Sequence, residues 1–202
     1  VDVLESYASE GITGLGSENV VVTDAASVSG LNTLDGKNTG IITAQVLETD
    51  AATLKTLTGT NNSYTIAITD KTIAAVDLNS IDAATTVDVN ASTATSITGT
   101  IQDVNKSYAS EGIIGLGNES VTVAGSASVS DLNTLDGKNQ GQIIATVTEK
   151  DAATLKLLTG TNNAYSIKID DKTVPAIELN AIDKATTLIV DASAITELTG
   201  AT

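Results

Sequence analysis

Apolar and polar residues take turns along this chain in two different rhythms. Across residues 41–47, Ile42, Ala44 and Val46 form one set and Thr43, Gln45 and Leu47 the other. Across residues 64–69, Tyr64, Ile66 and Ile68 alternate with Thr65, Ala67 and Thr69. A period of two predicts strands with one face covered and the other open. Residues 1–3, 20–23 and 86–89 are shorter β-branched runs of the same kind. The second rhythm is helical. Residues 50–59 start with Asp50 as N-cap, place Leu54 and Leu57 on one face, and stop at Gly59. Residues 27–36 follow the same scheme, with Ser27 as cap, Leu31 and Leu34 inward, and Gly36 as stop. Residues 72–82, with Ile73, Val76 and Ile81 inward, residues 92–99 and residues 6–16 complete five predicted helices.

A shift of 101 residues, which carries Tyr7 onto Tyr108, lays the chain on itself without a gap. Ser6-Tyr7-Ala8-Ser9-Glu10-Gly11 recurs as Ser107-Tyr108-Ala109-Ser110-Glu111-Gly112, and Asp50-Ala51-Ala52-Thr53-Leu54-Lys55 recurs from Asp151 to Lys156. Roughly 60% of the paired positions are identical, so the chain is a tandem repeat of residues 1–101 and 102–202. The copies differ where the strand faces alternate. Ile42, Ala44 and Val46 return as Ile143, Ala145 and Val147, whereas Thr43, Gln45 and Leu47 become Ile144, Thr146 and Thr148. That contrast marks the first set as the covered face.

Strands separated by short helices predict parallel pairing with right-handed crossovers. The expected fold is therefore α/β: a right-handed solenoid of about ten strand–helix coils on one parallel sheet, like a leucine-rich repeat in principle. The Leu-x-x-Leu-x-Leu-x-x-Asn signature of that family is absent. A doubly wound domain is the rival, disfavoured by the self-match and by the shortness of the helices. Val1 starts in mid-pattern, which predicts a segment of something longer. Neither end reads as a polar cap, so end-to-end association, or further copies in a parent chain, is expected.

Composition narrows the function. The 202 residues include no Phe, Trp, Met, Cys or His, and the only rings are Tyr7, Tyr64, Tyr108 and Tyr165. A core without large rings must be thin and layered. The net charge of −15 repels phosphate backbones and anionic lipid, so neither nucleic acid nor a membrane surface is an expected partner. No apolar run approaches the length of a membrane span. Lack of Cys removes disulfides, thiol catalysis and thiolate metal sites together.

The segment Leu31-Asn32-Thr33-Leu34-Asp35-Gly36-Lys37, followed by Asp50-Ala51-Ala52-Thr53-Leu54 and Leu57-Thr58-Gly59-Thr60, resembles α/β-solenoid tandem repeats of very large secreted or cell-surface proteins of cyanobacteria and other aquatic bacteria. The matching pieces recur along nearly the whole chain. The resemblance implies an extracellular module with a role in adhesion, surface layers or filaments, and it brings no catalytic residues.

The remaining chemistry is sparse. A carboxylate pair can cleave a glycoside, but Asp35/Asp136, Asp50/Asp151, Asp70/Asp171 and Asp82/Asp183 all occur twice, as turns and caps do. No catalytic residue and no cofactor is expected. Calcium-binding loop patterns are missing. The turns Asp35-Gly36-Lys37-Asn38 and its copy leave Asp35 and Asp136 as the first residues a calcium ion would engage, against the adverse charge of Lys37. Asn32, Asn79, Asn133 and Asn180 are expected to form a structural ladder of side-chain amides. The outward strand positions are too irregular to match an ice lattice, and would instead face a glycan or surface partner if the chain were a binding module. Tyr64 and Tyr165 read as inward, which favours a structural part over sugar binding.

Overall fold

The computed structural model describes residues 2–201. The first copy contributes α1 (Asp2–Ala8), β1 (Val20–Val21), α2 (Val28–Asp35), β2 (Ile42–Gln45), α3 (Ala51–Leu54), β3 (Ser63–Ala67), β4 (Thr72–Ala74), α4 (Ala75–Ala83), β5 (Val89–Asn90) and β6 (Ser96–Gly99). The second contributes α5 (Ile101–Ala109), β7 (Ile113–Ile114), β8 (Ser120–Ala127), α6 (Val129–Asp136), β9 (Ile143–Val147), α7 (Ala152–Leu155), β10 (Ala164–Ser166), β11 (Thr173–Pro175), α8 (Ala176–Lys184) and β12 (Glu197–Thr199). Among the described residues, then, eight helices accompany three parallel sheets, two of five strands and one of two.

The expectation of a solenoid of about ten coils on one parallel sheet does not hold. The reason lies in segments read as helices. Residues 92–99 carry Ser92 and Gly99 where a helix would begin and stop, yet they form a turn and then strand β6. Residues 72–82 begin as strand β4 before helix α4 starts at Ala75. Their second-copy counterparts, β11 and β12, pair with each other in a sheet of their own. β6 joins β8, β9 and β10 in one five-stranded sheet, β1, β2, β3, β5 and β7 form another, and β11 and β12 make a third, so the strands fall into three sheets rather than one. Two smaller corrections follow. The run read as strand 1–3 is helical at Asp2 and Val3, while Val1 lies outside the described residues. The helix predicted for residues 6–16 ends at Ala8, where the glycines take over.

The chain clusters into two compact units: residues up to Ala94 with Ser110–Gly115, and Thr95–Ala109 with residues from Leu116 onward. In the first, the strand order is β1-β2-β3-β5-β7. Val21 stands beside Thr43, Ala44 beside Tyr64, Ile66 beside Val89, and Val89 beside Ile113. In the second, β6, β8, β9 and β10 lie side by side in that order, with Ile97 beside Val121 and Tyr165 beside Ala145.

Local chemistry explains the elements. Ser27 caps α2 by accepting the Gly30 N–H at 3.2 Å, and Asp50 caps α3 by accepting the Thr53 N–H at 2.9 Å. Pro175 sits just ahead of α8 with φ −64°, where its missing N–H costs nothing. Inward residues fill the cores as the alternation requires: Ile42, Ala44, Tyr64, Ile66 and Leu54 are buried in the first unit, and Ile143, Ala145, Tyr165, Ile167 and Leu155 in the second. Ile73 and Ile81 are buried too, but Val76 is exposed. It falls on the outer side because α4 starts three residues later than the sequence pattern suggests.

Candidate functional site

Asp35 and Asp136, which the sequence singles out, anchor a polar network at the start of β2 and again at the start of β9. Asp35 closes helix α2, and both of its oxygens are engaged: Oδ1 accepts from Asn62 Nδ2 at 2.9 Å and Oδ2 from Thr58 Oγ1 at 3.0 Å. Gly59 passes directly over this carboxylate with φ +80°, and a Cβ there would overlap Asp35 Oδ1. The Oδ1 of Asn62, which is buried, accepts the Ile42 N–H at 2.8 Å. One polar chain thus runs from Thr58 through Asp35 and Asn62 to the backbone of a core strand. In the second copy, Asp136 accepts from Asn163 at 2.8 Å and from Thr159 at 2.9 Å, and Asn163 accepts the Ile143 N–H at 2.8 Å.

Next in the same turn, Asn38 Nδ2 donates to the carbonyls of Glu18 and Gly40 at 2.9 and 3.1 Å, and Asn139 does the same for Glu119 and Gly141. Asn32 donates to Thr56 O at 2.7 Å and accepts the Thr58 N–H at 2.8 Å. Asn133 repeats both, with Leu157 and Thr159 as partners. Asn79 is buried, whereas Asn180, its counterpart, is exposed.

The acids have a further use that sequence reasoning missed. Glu48 accepts the Val28 N–H at the start of α2 and Asp70 the Ala51 N–H at the start of α3, at 2.9 and 2.6 Å. Glu149 and Asp171 serve α6 and α7 in the same way. Each supplies an acceptor to helix N–H groups that lack intrahelical partners. Glu18 gathers the Tyr7 hydroxyl at 2.6 Å and the N–H groups of Gly16 and Ser17. Those hydrogen bonds, the tyrosine's first among them, lower its carboxyl to about 2. Burial, then the bond to Glu18, pushes Tyr7 up to about 12. Glu119 and Tyr108 form the same pair at 2.8 Å. The repeated spacing, Tyr7 to Glu18 and Tyr108 to Glu119, was the one trace of this in the sequence.

The chain matches no known protein family, no curated protein and no solved structure.

What the arrangement can do chemically is therefore read from geometry alone. Among the described residues, no three acidic, histidine or cysteine side chains gather into a group that could hold a metal ion. The outward face of the first sheet sets Val21 beside Thr43 and Gln45 beside Thr65. No ring lies on it: Tyr64 and Tyr165 are buried in the cores, where burial raises both phenols above their ordinary range, and Tyr7 and Tyr108 sit on helices, each bonded to a glutamate. No helix among the described residues is long and apolar enough to cross a membrane.

Proposed function

We propose that this chain is a non-enzymatic structural repeat module of an extracellular or cell-surface assembly, one that extends by packing end to end. The observation that carries the reading is the doubled polar network. The Thr58–Asp35–Asn62–Ile42 chain recurs bond for bond as Thr159–Asp136–Asn163–Ile143, spending the residues best suited to chemistry on holding strand starts and helix ends. A reacting centre needs groups poised toward a substrate; here the Asp35 and Asp136 carboxylates are taken up by Asn and Thr side chains of the fold. Placement outside the cell rests on the resemblance of the repeated Leu-Asn-Thr-Leu-Asp-Gly-Lys segments to those of large surface proteins. An adhesin-like role on the outer sheet face lacks the aromatic platform that sugar binding favours.

Light scattering over a concentration and salt series tests the reading. With a net charge of −15, association should be weak at low ionic strength and grow as salt screens the repulsion. A mass that stays monomeric at every concentration and salt level would overturn it.

A further inference from the structure

The same sequence occurs twice, so each segment can be compared with its own copy in a different setting. At two places one copy is covered and the other bare. In the second unit, β8 is covered along one edge by β6: Ser96 stands beside Ser120, Ile97 beside Val121, Thr98 beside Thr122, and the Ser120 N–H donates to Thr95 O at 3.0 Å. The first-copy counterpart of β8 is β1, which is an edge strand. Val20 and Val22 turn their N–H groups to β2, leaving the Val21 backbone facing outward. Beside it opens a cleft of about 550 Å³, lined by Val3, Leu4, Val21, Ala26 and Leu31. The second-copy counterpart of β6 is β12, whose Leu198 is 58% exposed where Ile97 is 0%.

In the first unit, residues 110–115 lie along residues 82–92. The Ser110 hydroxyl donates to Asp82 Oδ2 at 2.8 Å, the Val89 N–H donates to Gly112 O at 2.8 Å, and the Ala91 N–H donates to Ile114 O at 2.9 Å. Gly115, at φ +92°, comes so close to Ser92 that an added Cβ would stand 2.6 Å from its Cα. The counterpart Gly14 has the same backbone, φ +89°, and nothing within 4 Å. Ile12 is 47% exposed where Ile113 is 8%. In the complementary stretch, residues 183–193, Asp183 is exposed where Asp82 is half-buried, and Val190 is half-buried where Val89 is fully buried.

The geometry points to a head-to-tail interface with a second copy of this chain, in a register already written inside each unit. Residues 9–14 of one molecule seat on residues 183–193 of the next, with Gly14 against Ser193 and the Ser9 hydroxyl on Asp183. Beside them β1 adds to β12 as a parallel strand, with Val20 opposite Leu198 and Val21 opposite Thr199. Two separate covered segments dictate the two halves, and both halves require the same partner. A foreign protein would have to reproduce the glycine approach, the serine–aspartate bond and the strand register together; a second copy carries all three. The interface is heterologous and therefore open-ended. It is acidic on the receiving side, where Asp191 and Glu197 replace Asn90 and Ser96, so its formation needs salt. This inference rests on the end-to-end reading and adds its residues.

Because the chain has no cysteine, introduced pairs report contact cleanly. Val21→Cys in one preparation and Thr199→Cys in another are both at exposed positions, so circular dichroism of each should match the parent. Paired strands lie ~4.8 Å apart, within the span a disulfide bridges, while Thr43, one strand further, would lie at roughly twice that distance and out of reach. Mixed and oxidised at the salt where light scattering shows association, the 21–199 pair should link, and a Thr43→Cys with Thr199→Cys mixture should not. Ser9→Cys with Asp183→Cys, joined by a short bismaleimide, checks the other half independently. Association without either link, or with the 43–199 link instead, overturns the register and leaves end-to-end packing standing. A monomer under all conditions overturns both.

Discussion

The Tyr7 hydroxyl donates to Glu18 Oε1 at 2.6 Å, tying helix α1 to the turn that leads into the first strand. The bond shifts both partners, and the signs define a pH window. Glu18 sits at about 2 against an ordinary 4.5, so its contribution to stability is whole above pH 4.5 and is lost as pH falls toward 2. Tyr7 is raised from 10.0 to about 12, so its contribution is whole below pH 10 and is lost as pH rises toward 12. Glu18→Gln should therefore flatten the acid side of the stability curve and move Tyr7 ionisation back toward its ordinary value. Denaturant midpoints from pH 2 to 7, with a tyrosine absorbance titration, measure both effects. An unchanged acid limb would refute the assignment.

Leu54 and Leu155 are fully buried at the ends of the short helices α3 and α7. Truncating either to Ala should cost ~2–5 kcal/mol, as lost transfer energy plus a residual cavity. Gln45 stands on the open face of β2, and its change to Ala should stay within ~0.5 kcal/mol. Urea melts of the three variants decide the matter; equal midpoints would mean that the faces are assigned wrongly.

That the faces could be read from sequence at all is owed to the duplication. Ile42, Ala44, Tyr64 and Ile66 repeat unchanged and are buried, while their neighbours drift and are exposed. Caps were equally legible, because Ser27 and Asp50 act within three residues of their own position. The strands β4 and β6 were not. Ile97 is buried, but a four-residue strand preceded by Ser92 and ending on Gly99 has the same punctuation as a helix, and only its partner Val121 distinguishes the two. Such pairing is decided by residues far along the chain, which local pattern does not contain. The roles of Asn38, Asn62 and Glu18 were hidden for the same reason: each side chain satisfies backbone or side-chain groups on another element.

Asp35 and Asp136 already accept two hydrogen bonds each, from neutral partners set by the fold. Turning a carboxylate toward a calcium ion would release Asn62 or Asn163 from a bond that positions a strand. The expected outcome of adding a chelator is an unchanged circular dichroism spectrum and an unchanged melting midpoint. A midpoint that rises with added calcium, and no longer does so in Asp35→Asn with Asp136→Asn, would reverse this.

The Asn62–Asp35 pair should prove to be one unit in energy as well as in space. Asn62→Ala removes the acceptor for the Ile42 N–H inside the core and, at the same time, one donor to Asp35. An unsatisfied buried group costs ~1–3 kcal/mol, so Asn62→Ala should destabilise by about that amount. Asp35→Ala alone strips Asn62 Nδ2 of its partner and lets the amide swing, which loosens the Ile42 bond too. Once either residue is gone, losing the other should matter less, giving a coupling of ~0.5–3 kcal/mol in a double-mutant cycle. The pair Asn163–Asp136 supplies an internal control, since its bonds have nearly the same lengths. Coupling at both places would establish the network as what holds each strand start in place. Strict additivity at both would show that the two bonds act separately, and that the strand starts are set by packing of Ile42 and Ile143 instead.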